Sequence, residues 1–206
     1  MIKLPGRTVE RLSEYRRTLL ACLSENKNFI YSHDLAARLH IKAVQVRRDL
    51  MLIGYSSVLR KGYDIRELIS IIGEIIDPEV AVNVAVIGIG NFGRAIAGYF
   101  KGKRSKLNLV AAFDNDPQKF SKIISGIKCY PYSEAERLIS EMNVRIAILT
   151  VPPELAREIT EELVRFGIKG ILNFTTISLN VPPDVHLEEY DMITSLEKVV
   201  YFSKEK

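Results

Sequence analysis

Tryptophan is absent from this 206-residue chain, and cysteine and histidine are scarce, at two and three residues. Cys22 and Cys129 lie far apart, too few and too separated for a disulfide framework or a metal cluster. Each reads as a small buried hydrophobe. His33 and His40 lie in the basic helical region and read as surface residues, and His186, in a weak last strand, has no obvious acid partner for proton transfer. No stretch approaches the roughly 18 uninterrupted apolar residues that a membrane-crossing helix requires. The segment Met1–Gly6 opens no apolar run of signal-peptide length. Internal repeats and low-complexity tracts are also missing. With 47% hydrophobic and 26% charged residues, the composition excludes a disordered polymer. These absences describe a soluble, globular, cytoplasmic protein of a reducing compartment, with no membrane partner and no metal.

The net charge of +4 hides a division. Residues 1–62 hold 12 Lys and Arg against 5 Asp and Glu, a balance of +7, and the remainder holds 17 against 20, a balance of −3. The positive field belongs to one end, which suits a polyanionic partner.

Hydrophobic periodicity divides the chain near Asp77-Pro78. Before that point the pattern is helical. Thr8 is positioned to cap a helix with Leu12, Tyr15, Leu19 and Cys22 on its inner face, and Ser32 to cap a short helix to Leu39. A third helix spans about Ala43 to Leu52, with Val44, Val46 and Leu50 inward and Gln45, Arg47, Arg48 and Asp49 outward. Tyr55–Tyr63 reads as a hairpin and Asp64–Ile76 as a fourth helix. After Val82 the reading is strand and helix in alternation, with strands at 82–87, 109–113, 127–130, 146–151, 171–174 and 185–187. Asp116-Pro117 and the pair Ser133 and Glu136 mark helix starts. Near-continuous apolar strands of this kind imply a parallel sheet covered on both faces. A last helix, from Met192 to about Ser203, starts at Thr194 and Glu197 and is apolar on more than one face, so it needs a buried surface. The fold class is α/β: a winged helix-turn-helix domain at residues 1–77, a Rossmann-type parallel-sheet domain at 78–190 and a C-terminal helix at 191–206 that is buried either in its own subunit or in a partner.

Val84 to Ala95 runs a strand into Gly88-Ile89-Gly90-Asn91-Phe92-Gly93-Arg94 and then a helix. The first glycine permits the turn and the second admits a pyrophosphate. The third lets helix and strand pack closely, and the helix N-terminus faces the anion. Asp114 ends the next strand, where a carboxylate accepts the adenosine ribose hydroxyls. With no arginine directly after it, NAD+ and NADH are favoured over their 2′-phosphorylated forms. Arg94 is placed to pair with the pyrophosphate. Gly102-Lys103-Arg104-Ser105 is not a phosphate loop, because the first glycine and the final hydroxyl residue of that motif are missing.

Three functions compete. A dehydrogenase needs a substrate domain and a general acid or base, and the chain after Val151 is too short for the usual second domain. A small NAD(H)-dependent oxidoreductase with a basic assembly domain nonetheless stays as the alternative. An adaptor for another adenosine ligand, such as coenzyme A, is opposed by Asp114, which would repel its 3′-phosphate. A sensor fits best, because Ser32–Leu39 followed by Ala43–Leu50 has the layout of a helix-turn-helix whose second helix presents a basic, polar face. Arg47 and Arg48 diverge by about 100° around that helix, so one can address a base edge and the other a phosphate.

Taken together, these motifs resemble the Rex family of redox-sensing transcriptional repressors. The resemblance rests on Arg11-Leu12 with Tyr15, Arg17 and Leu19, on Gln45–Leu50, Gly62-Tyr63, Gly88–Ala95 with Tyr99, and Phe113-Asp114. It continues through Val151-Pro152, Gly167-Ile168, Asn173-Phe174, Val181-Pro182 and Asp191. It implies a non-enzymatic homodimer that exchanges its C-terminal helix, holds palindromic double-stranded operator DNA in the NAD+-bound or free form, and releases it on binding NADH. The implied nucleotide residues are Gly88 to Arg94, Asp114, Val151, Pro152, Asn173 and Phe174. Ser32, Lys42, Ala43, Gln45, Arg47, Arg48, Arg60 and Lys61 are implied for DNA, and Arg17, Tyr99 and Asp191 for the ligand-dependent switch. The sequence departs from the family pattern at Ser57–Arg60, where a Gly-Lys-Arg-Gly wing tip is usual, at Thr175-Thr176 in place of Ala-Pro, and at Met192.

Overall fold

The computed structural model describes residues 4–56, 61–100 and 106–204. The chain divides into two compact units, residues 1–79 and 80–206.

In the first unit, α1 (Gly6–Ser24), α2 (Ser32–Arg38), α3 (Ala43–Leu52) and α4 (Ile65–Ile76) enclose one core, and β1 (Phe29–Ile30) pairs antiparallel with β2 (Tyr63–Asp64). Leu12, Tyr15, Leu19 and Cys22 recur at helical spacing and are fully buried against Leu50, Leu68 and Ile72. Asp64 caps α4 by accepting the Arg66 and Glu67 backbone N–H groups. Most of the expected hairpin tip, residues 57–60, lies outside the described residues, and Tyr63 at its far end pairs with Ile30.

Two features of this unit correct the sequence reading. α1 starts at Gly6 after Pro5, and Thr8 is not its cap: the hydroxyl is buried in the first turn and accepts from Arg11. Likewise α2 starts at Ser32 itself, without a side-chain cap. More consequential is Asp49. Periodicity assigns it to the outer face of α3, yet it is fully buried, whereas Val44, assigned inward, is 48% exposed. The Asp49 carboxylate takes Arg11 through Nε at 2.6 Å and Nη2 at 2.8 Å, Tyr15 Oη at 2.7 Å and Gln45 Nε2 at 3.0 Å. A second ion pair, Arg16 to Asp77 at 2.7 Å, joins α1 to the end of α4.

The second unit is a seven-stranded sheet. Its strands are β3 (Val82–Ile87), β4 (Leu107–Asp114), β5 (Ile123–Ile124), β6 (Ile127–Pro131), β7 (Val144–Leu149), β8 (Gly170–Asn173) and β9 (His186–Glu189). They lie in the order β5-β6-β4-β3-β7-β8-β9, parallel throughout except for the β5–β6 hairpin. Along β3, Ala85 and Ile87 enter one apolar layer with Phe113, Leu149 and residues of α6 (Ala135–Glu141) and α7 (Ala156–Arg165). Val84 and Val86 enter the opposite layer with Ala97 of α5 (Asn91–Phe100). Strand alternation thus buries both faces. β3 sits at the centre, and its C-terminal end opens where the direction of strand addition reverses, the usual place for a ligand in an open parallel sheet.

Two cap assignments fail here. Ser133 and Glu136 make no capping box, because a single 3₁₀ turn at Tyr132–Glu134 leads into α6 without a side-chain cap. α8 (Met192–Ser203) is capped by Asp191, which accepts from the Ile193 and Thr194 backbone N–H groups and from the Thr194 hydroxyl. Asp116 does cap its segment, but only one 3₁₀ turn follows. Within one chain the apolar side chains of α8 are exposed, Leu196, Val199 and Phe202 each by more than 60%.

Asp49→Ala removes the acceptor for one guanidinium and one buried hydroxyl, so the helical unit should lose about 3 kcal/mol at pH 7. Burial alone raises the Asp49 carboxyl, but the bonds from Arg11, Tyr15 and Gln45 outweigh it and hold it below its ordinary value. Its contribution is therefore complete above the unfolded value of about 4 and fades as the pH falls further. Thermal unfolding followed by circular dichroism checks this: the gap between wild type and variant should close below that pH, and a pH-independent gap contradicts it.

Candidate functional site

At the end of β3 the chain turns at Gly88, with φ of +86°. A Cβ there would stand 2.9 Å from the Thr150 carbonyl oxygen. At Gly93, in the first turn of α5, it would stand 2.1 Å from the Gly88 carbonyl oxygen and 2.9 Å from Thr150 Oγ1. At Gly90 it would meet nothing within 4 Å. The first and third glycines thus serve internal packing, and the second leaves open space for a ligand. Thr150, which carries no recognisable motif, ties the turn down, its hydroxyl donating to the Gly88 carbonyl at 2.6 Å.

Beside the turn lies a cavity of about 440 Å³. Gly88, Gly90, Asn91, Phe92, Asp114, Val151 and Pro152 all line it, and the structure brings these expected residues together. Ile89 is buried, and its N–H donates to Asp114 Oδ2 at 2.8 Å. Asp114 also accepts from the Asp116 N–H at 2.9 Å and from Lys119 Nζ at 3.0 Å. Burial favours the neutral acid, but these three donors prevail and hold the carboxyl below its ordinary range. Lys119 was not foreseen; no short motif carries it, and only the turn after β4 returns it to the acid. Tyr132, also on the wall, gives its hydroxyl to Glu162 at 2.8 Å, and burial together with that bond pushes the phenol upward.

Three expected residues sit differently. Arg94 turns toward the Ile89 carbonyl, at 3.3 Å, and lines a neighbouring groove with Lys119, Lys122 and Ser125. Asn173 is fully buried, and its amide is taken up by Ile177 and Thr175 of the following loop and by Glu189 of β9. Thr175 thus has a structural task, since its hydroxyl donates to Asn173 Oδ1 at 2.7 Å. Phe174 does not line the cavity but packs edge-on against Phe92, which does, at 5.4 Å.

In the helical unit, α3 exposes Arg47 and Arg48, with Arg47 Nη1 donating to Ser32 Oγ at 3.1 Å. Lys42 immediately precedes the helix, Ala43 is half-buried and Lys61 is exposed. Gln45 faces inward, onto Asp49. Arg60 lies outside the described residues. Of the residues expected for a switch, Arg17 and Tyr99 are exposed on α1 and α5, and Asp191 caps α8.

A family model described as a CoA binding domain matches residues 80–177, and a DNA-binding protein N-terminus model matches residues 3–50. The redox-sensing transcriptional repressor Rex of Lactobacillus acidophilus is 35% identical over 201 residues, covering 98% of this chain and 95% of the relative. This chain belongs to the Rex family of redox-sensing transcriptional repressors. The Rex of Leuconostoc citreum is 36% identical over 97% of this Rex-family chain and 93% of its own length. Among solved structures, the Rex-family repressor RSP with β-NADH superposes with a TM-score of 0.88 at 33% identity, covering 98% of this chain and 95% of that one. RSP with β-NAD+ and operator DNA superposes with a TM-score of 0.91 at 33% identity, covering 100% and 94%.

The glycine geometry separates two effects that sequence alone merges. Gly90→Ala should leave the melting temperature within about 2 °C of wild type, as for a substitution that meets nothing, while weakening NADH at least about tenfold. Gly93→Ala forces the turn apart and should lower both. Calorimetric titration beside a melting curve reads the two, and equal melting temperatures for the two variants would refute the assignment.

Proposed function

We propose that this Rex-family chain is a homodimeric repressor that holds a palindromic operator through α3 and lets go when NADH occupies the cavity at Gly88–Gly93. The observation that carries this reading is the pairing, in one chain, of a glycine-turn cavity walled by Asp114 with a helix that presents Arg47 and Arg48 from a buried ion-paired base. Arg47 reads a base edge, and Arg48, Lys42 and Lys61 supply phosphate contacts that make affinity depend steeply on salt. The chain works in the cytoplasm, where NADH and DNA meet.

The titratable groups on the cavity wall are Asp114, Lys119 and Tyr132, and each is already engaged: the first two with one another, the third with Glu162. That engagement suits a binding site rather than acid–base work, and the chain acts as a sensor and not as an enzyme. The switch rests on differential affinity, because a ligand that binds both conformations equally shifts neither. An oxidised nicotinamide carries a positive charge that the reduced ring lacks, and the apolar wall of Val151, Pro152 and Phe92 favours the uncharged ring. Arg17, Tyr99 and Asp191 serve the ligand-dependent switch, and the exposed apolar side of α8 is covered by the partner subunit.

The CoA-binding description of the matching family model brings coenzyme A into the test. A gel shift with a palindromic duplex should show release by NADH, retention with NAD+, and no response to coenzyme A. Arg47→Ala should weaken operator binding by about 1–3 kcal/mol and relax specificity at one position in each half-site. Binding to random duplex as tight as to the palindrome overturns the repressor reading.

A further inference from the structure

The ribose-facing carboxylate is almost saturated before any nucleotide arrives. A carboxylate offers about four lone-pair positions. Asp114 has filled three of them, two on Oδ2 with the Ile89 N–H and Lys119 Nζ, and one on Oδ1 with the Asp116 N–H. A ribose diol brings two hydroxyl protons, and one acceptor position remains. Lys119 is in the opposite condition. Its ammonium has three N–H groups. One meets Asp114, and the next carboxylate, Asp116, stands 3.6 Å away, beyond a good hydrogen bond. Its side chain is 19% exposed and lines both the glycine-turn cavity and the neighbouring groove that holds Arg94 and Lys122.

We infer that Lys119 is a second ribose-reading residue: one adenosine hydroxyl donates to the open position on Asp114 Oδ1, and the other accepts an N–H from Lys119. The assignment rests on the reading that NADH binds at this turn. It explains how a carboxylate with one free acceptor position satisfies a vicinal diol without losing its own anchors. It also changes the electrostatic account of selectivity. A 2′-phosphate entering here meets an Asp114–Lys119 pair close to neutral overall, so discrimination between NADH and NADPH belongs to the pair and not to the acid alone. Removing the ammonium bares the carboxylate and should turn a phosphate away more strongly.

The test uses the full chain, with Lys119→Met and Lys119→Gln compared with wild type by calorimetric titration. The probes are NADH, NADPH and the two NADH analogues lacking the adenosine 2′- or 3′-hydroxyl. Losing a hydrogen bond from a charged donor should weaken NADH about tenfold in either variant. For the analogue that lacks the hydroxyl facing Lys119, the loss should shrink to about twofold or less, since the partner is already gone. NADPH should fall further than NADH. Losses equal for NADH and both analogues would overturn the assignment, leaving Lys119 a support for Asp114 only. Lys119→Gln carries the same comparison if Lys119→Met does not fold. A wild-type chain that binds no NADH refutes instead the nucleotide site itself.

Discussion

The sheet half of this molecule hangs on a backbone contact that tolerates no side chain. Gly93 stands so close to the Gly88 carbonyl that a Cβ would fall 2.1 Å from its oxygen. Because the contact is made, α5 begins directly at the strand end and aims its first turn at the open space above Gly90. Two further connections fix the turn from its sides. Thr150, at the end of β7, donates to the Gly88 carbonyl, and Asp114, at the end of β4, takes the Ile89 N–H. The three strand ends that meet here are thus stitched by bonds of the turn itself, and the cavity is their by-product.

The helical half is organised around the opposite kind of constraint, a buried charge. Asp49 is surrounded by one cation, one phenol and one amide, so its desolvation is offset by bonds from two turns of α1 and from one turn back on α3. Arg11 and Tyr15, four residues apart, present their donors on one face of α1. They fix both the rotation of α3 about its axis and its position along α1. Arg47 and Arg48 immediately precede Asp49 in sequence, so anchoring the aspartate inward turns the arginines outward. The basic surface is thereby held by an acid.

This division explains which parts of the structure the sequence disclosed. The glycine spacing, the alternation of strands with helices and the acid at the end of β4 are local patterns with a fixed geometric meaning, and the structure gathers Gly88, Gly90, Asn91, Phe92 and Asp114 around one cavity. Asp49 was misplaced because helical periodicity treats every charged residue as solvent-facing, and its partners lie up to 38 positions away. Lys119 and Thr150 were missed for a related reason: neither belongs to a spaced motif, and only the fold brings them to Asp114 and Gly88. The caps at Thr8, Ser133 and Thr194 failed because a hydroxyl residue near a helix start is compatible with several registers. Pro5 and Asp191 settled two of those registers by fixing backbone conformation or offering a stronger acceptor. At Asn173 the sequence shows a polar residue at a strand end but not its partners: the amide meets Ile177 and Thr175 of the following loop and Glu189 of β9.

The C-terminal helix joins the cavity to the assembly. Its N-cap, Asp191, follows Tyr190, which packs on Phe174 at 5.5 Å; Phe174 in turn packs on Phe92 at 5.4 Å, and Phe92 lines the cavity. The rings form one contiguous file from the cavity wall to Tyr190, the residue before the cap of α8. Aromatic rings in contact do not compress, so a group that displaces Phe92 must either reorient Phe174 or push Tyr190. A push on Tyr190 reaches α8 through its cap, because the Asp191 bonds to Ile193 and Thr194 hold the helix to the end of this file. Since α8 exposes apolar side chains that call for a second surface, a small tilt at its cap moves whatever covers it. The same helix that demands a partner is therefore connected to the cavity wall through this file of rings.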